Sequence, residues 1–251
     1  VTSPASPQPP LLEIDRVSVR FGGLVAVDAA DLSLEAGRVT GLIGPNGAGK
    51  TTLFNVITGL QAPSGGAIRF DGADITRWAA DKRARTGIAR TFQRLEVFGS
   101  LSVFDNVLTA AELHRTWAHE SRPAREVARA ALDRVGVLGY ADAMSDAVPT
   151  GIARLTELAR ALALQPRLLL LDEPSSGLSQ PETEAFAELL RDVAAAGTAV
   201  LLVEHDVDLV MGVCDTVHVL DFGQVICSGP PAVVQADARV QAAYLGIAEA
   251  S

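Results

Sequence analysis

The sequence has no apolar run approaching the roughly 18 residues that a membrane-spanning helix needs. Its longest runs, around residues 168–171 and 199–203, have the length of buried strands, so no transmembrane segment is expected. Basic charge is also scarce. Against 30 Asp and Glu stand 21 Lys and Arg, a formal net charge of −9 that counts against nucleic acid as the main partner. Only two cysteines occur, Cys214 and Cys227; they form no C-x-x-C pair and read as buried or semi-buried thiols in a reducing cytosol. The four histidines include no H-x-x-x-H spacing, which removes the commonest zinc pattern. The N-terminus lacks a basic region followed by an apolar stretch, so secretion is not expected. No internal repeat is visible. Residues 1–10 are proline-rich without apolar periodicity, and are expected to be a disordered tail or a linker from an upstream segment.

What remains is a chain of 251 residues, 48% hydrophobic, long enough to bury a sizeable core in one elaborated domain over residues 11–251. Within it, Gly44 to Thr51 read Gly-Pro-Asn-Gly-Ala-Gly-Lys-Thr, which matches the phosphate-cradling pattern G-x-x-x-x-G-K-S/T at every fixed position. Residues 38–43 before it read as a short buried strand, and residues 51–57 after it as a helix start. Gly44, Gly47 and Gly49 let the backbone turn its N–H groups toward an anion, at the positive end of a helix. Pro45, Asn46, Ala48 and Thr52 complete the candidate cradle. Lys50 would reach the β and γ phosphates, and Thr51 would hold Mg²⁺ through its hydroxyl. The pattern predicts a nucleoside triphosphate.

A second element supports it. Leu168, Leu169, Leu170 and Leu171 run into Asp172 and Glu173, as expected of a strand buried on both faces whose chemistry lies at its carboxyl end. Asp172 is placed to hold Mg²⁺ and Glu173 to act as the general base on water. Alternation around residues 12–14 and 17–19 predicts two short strands, and Asp71-Gly72 a turn after a strand at residues 67–70. Between Ser102 and Ala147 the pattern is helical. Phe104, Val107, Leu108 and Ala111 form one stripe behind a Ser102 cap, and Val127, Ala128, Ala131, Leu132 and Val135 another behind Pro123.

Together these motifs resemble the ATPase subunits of ATP-binding-cassette (ABC) transporters, over about residues 11–245. Thr91-Phe92-Gln93 resembles the family's Gln loop and Val203-Glu204-His205-Asp206 its switch histidine. The resemblance implies an α/β fold: a P-loop core with an antiparallel β subdomain and an inserted helical subdomain at about residues 94–150. It implies ATP and Mg²⁺ as cofactors, Gln93 at the metal and water, His205 at the γ-phosphate and beside Glu173, and Phe21 stacked on adenine. Taken alone, Phe21 is equally an ordinary strand-end aromatic. Phe21-Gly22-Gly23-Leu24, residues 88–93, residues 101–107, residues 219–223 and Ala243-Tyr244-Leu245-Gly246 resemble the branched-chain amino acid type, which includes urea and amide importers. Implied partners are a second ATPase subunit, homo- or heterodimeric and head to tail, transmembrane permeases that would hold this chain at the cytoplasmic face of the membrane, and indirectly an extracytoplasmic solute-binding protein. A cassette ATPase of a lipid exporter and a regulatory ATP-binding module with weak turnover stay open as alternatives.

Two departures stand out. The family's signature falls on Val148-Pro149-Thr150-Gly151-Ile152, where Pro149 replaces a serine and removes both a hydroxyl and an N–H. Gly151 survives and Thr150 offers a displaced hydroxyl, so a weakened clamp on the partner's ATP is expected. Ser179, where the family often has aspartate, forms a capping box with Glu182. Finally, Phe92, Leu95, Val97, Phe98 and Leu101 either wall a groove for a permease helix or cap the helical lobe.

Overall fold

The computed structural model describes residues 9–248, with side chains as far as Ala243. The tail expected at residues 1–10 lies outside them up to Gln8, and so do the side chains of Tyr244, Leu245 and Gly246. The chain opens with β1 (Leu12–Phe21), β2 (Leu24–Leu34), β3 (Val39–Ile43) and α1 (Lys50–Thr58). Then come β4 (Gly65–Phe70), β5 (Ala73–Asp74), α2 (Ala80–Arg85) and β6 (Ile88–Arg90). Helices α3 (Val103–Ala118) and α4 (Ala124–Arg134) and a 3-10 turn at Leu138–Tyr140 precede α5 (Thr150–Ala163). The rest alternates: β7 (Leu168–Asp172), α6 (Gln180–Ala195), β8 (Ala199–Val203), α7 (Val207–Val213) and β9 (Thr216–Asp221). β10 (Gln224–Gly229), α8 (Pro231–Ala236) and α9 (Ala238–Ala248) close it.

An antiparallel sheet runs β2-β1-β4-β5, and a second sheet runs β10-β9-β3-β8-β7-β6. In the second, β9 through β6 are parallel and β10 pairs antiparallel at the edge. This is the α/β architecture that the resemblance implied. β1 differs from the two short strands expected. It is one ten-residue strand with a register shift between Ile14 and Val17, where Arg16 adopts φ 46°. The Arg16 N–H turns out to Asp31 Oδ1 at 2.8 Å, a bulge that the polar Asp15-Arg16 pair disguises as a turn.

The parallel strands are buried on both faces. Leu169 and Leu171 of β7 join a core under the helices, and Leu168 and Leu170 join a core shared with α1 and the antiparallel sheet. All four are 0% exposed, and each such side chain stabilises by roughly 1.5–3 kcal/mol. Parallel register then fixes where polar chemistry can appear. Gly41 pairs with Leu202 and Asp172 with Val203, so β3, β8 and β7 end along one edge.

The helical layer inserts between β6 and α5. Ser102 Oγ caps α3 by accepting from Asp105 N at 3.0 Å, and Pro123 stands at the N-cap of α4. Asn106, fully buried, fastens the segment before α3: its Oδ1 accepts from Phe98 N, and its Nδ2 donates to Phe98 O, Ser102 O and Ser145 Oγ. The capping box of Ser179 and Glu182 is present on α6. Both cysteines are free and buried, and burial pushes the Cys214 thiol up to about 12.

One buried charge braces the end of α1. Arg83, 1% exposed, donates to Val56 O and Ile57 O at 2.7 and 2.8 Å and to Trp78 O and Thr76 O at 3.1 Å. Arg83→Met keeps the apolar stem but strands four carbonyls, so a loss of about 3 kcal/mol or more is expected. Urea unfolding should show a lower midpoint at unchanged m. A shift below about 1 kcal/mol would show that these bonds contribute little.

Candidate active site

The loop between β3 and α1 has no side-chain cap; Gly49 holds the N-cap at φ 108°. The first N–H groups of α1 are therefore left for an anion. A Cβ on Gly49 would meet Ala26 O of β2 at 2.4 Å, whereas one on Gly47 (φ 81°) would meet nothing within 4 Å. Lys50, 8% exposed, donates from Nζ to Gly44 O at 2.6 Å and Pro45 O at 3.0 Å, which curls the loop around its ammonium. Burial lowers the Lys50 pKa, opposed by the nearby Glu173 and Asp172 carboxylates.

The carboxyl end of β7 faces this loop. Asp172 is 2% exposed, and burial raises its pKa against the pull of Arg90, whose Nη2 donates to Asp172 Oδ2 at 3.0 Å. Its Oδ1 accepts no hydrogen bond among the described residues. Glu173 adopts a left-handed φ of 51°, and its N–H reaches Val203 O at 2.9 Å. Such a conformation costs a β-carbon residue on the order of 1 kcal/mol. It turns the carboxylate toward two other loops: Glu173 Oε1 accepts from Gln93 Nε2 at 2.9 Å and lies 2.6 Å from His205 Nε2. Accepting there requires the proton on Nε2 of His205.

One pocket of about 380 Å³ gathers Phe21, Asn46, Gly47, Ala48, Gly49, Lys50, Thr51, Thr52, Gln93, Asp172, Glu173 and His205. Its volume suits a nucleotide. Phe21 is 48% exposed beside Leu24, free to offer a ring face. Four residues in the expected set lie elsewhere. Gly44 is buried behind the cradle against Leu220, and Pro45 lines the loop's other side with Phe222 and Arg239. Thr150 and Gly151 begin α5 behind Pro149, beside Gly177 and Leu178 and outside the pocket. A magnesium ion fits the donor set, because Thr51 Oγ1, Asp172 Oδ1 and the Gln93 amide oxygen are all hard oxygen ligands. Among the described residues no group of three or more His, Cys, Asp and Glu gathers as a metal cage.

Known proteins resemble this chain in sequence and in fold. The profile described as ABC transporter matches residues 27–176, and that of the branched-chain amino acid ATP-binding cassette transporter matches residues 224–250. The chain belongs to the ABC transporter family. LivG of Escherichia coli, a high-affinity branched-chain amino acid transport ATP-binding protein, is 36% identical across 94% of this chain and 98% of its own length. BraF of Pseudomonas aeruginosa, named in the same way, gives the same three figures. LptB of Haemophilus influenzae, a lipopolysaccharide export system ATP-binding protein, is 30% identical across 94% of this chain and 97% of its own. The solved ADP conformation of MJ1267, an ABC transporter cassette, superposes with TM-score 0.84 at 28% identity, covering 95% of this chain and 100% of that one.

Two buried charges in this ABC cassette ATPase escaped the sequence reading. Glu204 ties the loops together, its Oε1 accepting from Ser175 N at 2.7 Å and its Oε2 from His205 N at 3.2 Å, while burial raises its pKa. Arg90 is the other. A lone basic residue in an apolar strand was the only available signal for it. A groove of about 240 Å³ beside the Gln93 segment is lined by Phe92, Phe98, Leu113 and Arg160 among others; Leu95, Val97 and Leu101 do not line it.

Substituting the two loop glycines should separate strain from collision. Gly49→Ala, forced against Ala26 O, is expected to weaken binding of a fluorescent ATP analogue at least tenfold, and Gly47→Ala by less, since only backbone strain opposes it. Equal losses, or a larger loss for Gly47→Ala, would contradict this packing.

Proposed function

We propose that this chain, bound peripherally at the cytoplasmic face of the membrane, hydrolyses ATP with Mg²⁺ to drive uptake of branched-chain amino acids, or a related small solute, through transmembrane permeases. The carrying observation is the Glu173 carboxylate, held by Gln93 and His205 in the same pocket as Lys50, Thr51 and Asp172. The cradle N–H groups and Lys50 would hold the triphosphate, with Phe21 against the base. Thr51, Asp172 and the Gln93 amide oxygen would hold Mg²⁺, which when bound offsets negative charge on the phosphate oxygens. Glu173 Oε2, free of hydrogen bonds among the described residues, would polarise the attacking water. His205 and Gln93 would keep that carboxylate oriented.

Uptake rests on the branched-chain profile match at residues 224–250 and on the higher identity to LivG and BraF than to LptB. No helix among the described residues is long and apolar enough to cross a membrane. The exposed Phe92 and Phe98 would seat one permease helix. Thr150 and Gly151, lying outside their own chain's pocket, would serve ATP on a second ATPase subunit in a head-to-tail dimer. There Pro149 offers neither hydroxyl nor N–H, and the clamp is weakened.

Glu173→Gln should retain ATP binding and lose phosphate release about 100-fold or more; equal release from the two proteins would defeat the hydrolytic assignment. Pro149→Ser should raise turnover several-fold in the assembled transporter, because one charge-assisted hydrogen bond is worth about 1.5–3 kcal/mol. A fall in turnover would show that Pro149 is no handicap.

A further inference from the structure

Arg90 closes β6 with a side chain only 6% exposed, and its guanidinium meets three elements at once. Nη2 donates to Asp172 Oδ2 on β7 at 3.0 Å, Nη1 to Asn55 Oδ1 on α1 at 2.5 Å, and Nε to Thr91 O at 3.2 Å. The group also lies over two aromatic rings, 4.8 Å from that of Phe92 and 5.3 Å from that of Phe54. Each of the three guanidinium nitrogens donates once, so α1, the Thr91 carbonyl and the rings hold its direction together with Asp172. The consequence falls on the carboxylate. Asp172 Oδ2 is held by Arg90, and Oδ1, which accepts no hydrogen bond among the described residues, is left for a ligand in the pocket that Asp172 and Thr51 both line. A buried carboxylate without such a partner would have neither its charge compensated nor its rotation restrained.

We propose that Arg90 is a positioning residue, which orients the Asp172 carboxylate for the divalent cation that accompanies the nucleotide. Asn55 is its anchor on the helix that begins at the phosphate loop. This rests on the reading of the pocket as a Mg²⁺–ATP site. Lysine in this place keeps the charge but has a single ammonium, which cannot serve Asp172 and Asn55 in the same fixed geometry.

The test is equilibrium binding of N-methylanthraniloyl-ATP to the full chain, in EDTA and across a Mg²⁺ titration, with melting temperatures recorded for each protein. Arg90→Lys should bind the nucleotide in EDTA within about twofold of wild type, while its half-saturating Mg²⁺ concentration rises about tenfold. Asn55→Ala, which leaves the Arg90–Asp172 pair in place, should move that concentration in the same direction by about threefold. A merely structural role would lower affinity equally with and without the metal, and that outcome would overturn the proposal. So would an unchanged Mg²⁺ requirement in both variants. If Arg90→Lys fails to fold, Asn55→Ala decides alone: a raised Mg²⁺ requirement supports the proposal and an unchanged one defeats it. Wild type binding no nucleotide at all would instead contradict the function proposed for the pocket.

Discussion

The parallel pairing of β3, β8 and β7 is the constraint on which this molecule depends. Their fifteen residues, five in each strand, are all buried. A sheet covered on both faces can place polar chemistry only where its strands end. The register that sets Gly41 against Leu202 and Asp172 against Val203 brings the glycine loop, the acidic pair and the His205 loop to one edge. Hydrophobic burial thus fixes the positions of charged groups that would never assemble by their own attraction.

Holding them there is costly, and the structure shows what offsets the cost. Asp172 is desolvated and compensated by Arg90; Lys50 is desolvated and compensated by loop carbonyls and the two carboxylates. Glu173 carries backbone strain, yet its N–H is satisfied by Val203 O, and its carboxylate gains both Gln93 and His205. Glu204 sits one layer back and bonds the N–H groups of Ser175 and His205, so the two loops that border Glu173 share a single anchor. Each compensation comes from a different element. A displacement of the Gln93 loop or of the His205 loop would therefore be felt first at Glu173 Oε1.

How much of this was legible depended on whether the signal was contiguous. The phosphate loop and the run from Leu168 to Glu173 are local patterns, and their geometry follows from eight and six consecutive residues. The helix caps at Ser102 and Ser179 were equally local. Arg90 and Glu204 were not, because their partners stand far away in sequence, 82 positions for Arg90 and Asp172 and 29 for Glu204 and Ser175. Arg83 was hidden for the same reason: a basic residue in a polar helical turn reads as solvent-facing until the carbonyls of α1 are known to lie over it. The bulge at Arg16 was missed because a polar pair inside a strand looks like a turn. Thr150 and Gly151 could be aligned with a motif expected to face a partner's ATP, and in the fold they stand apart from their own pocket.

The central claim is that Lys50, Thr51, Asp172 and Glu173 surround one metal-bound triphosphate. A crystal structure of the chain grown with Mg²⁺ and a non-hydrolysable ATP analogue tests it most directly. The expected result is a triphosphate inside the loop from Gly44 to Thr51, with the metal between Thr51 and Asp172 and the γ-phosphate facing Glu173. A nucleotide seated anywhere else, or a metal with no approach to Asp172, would contradict the account.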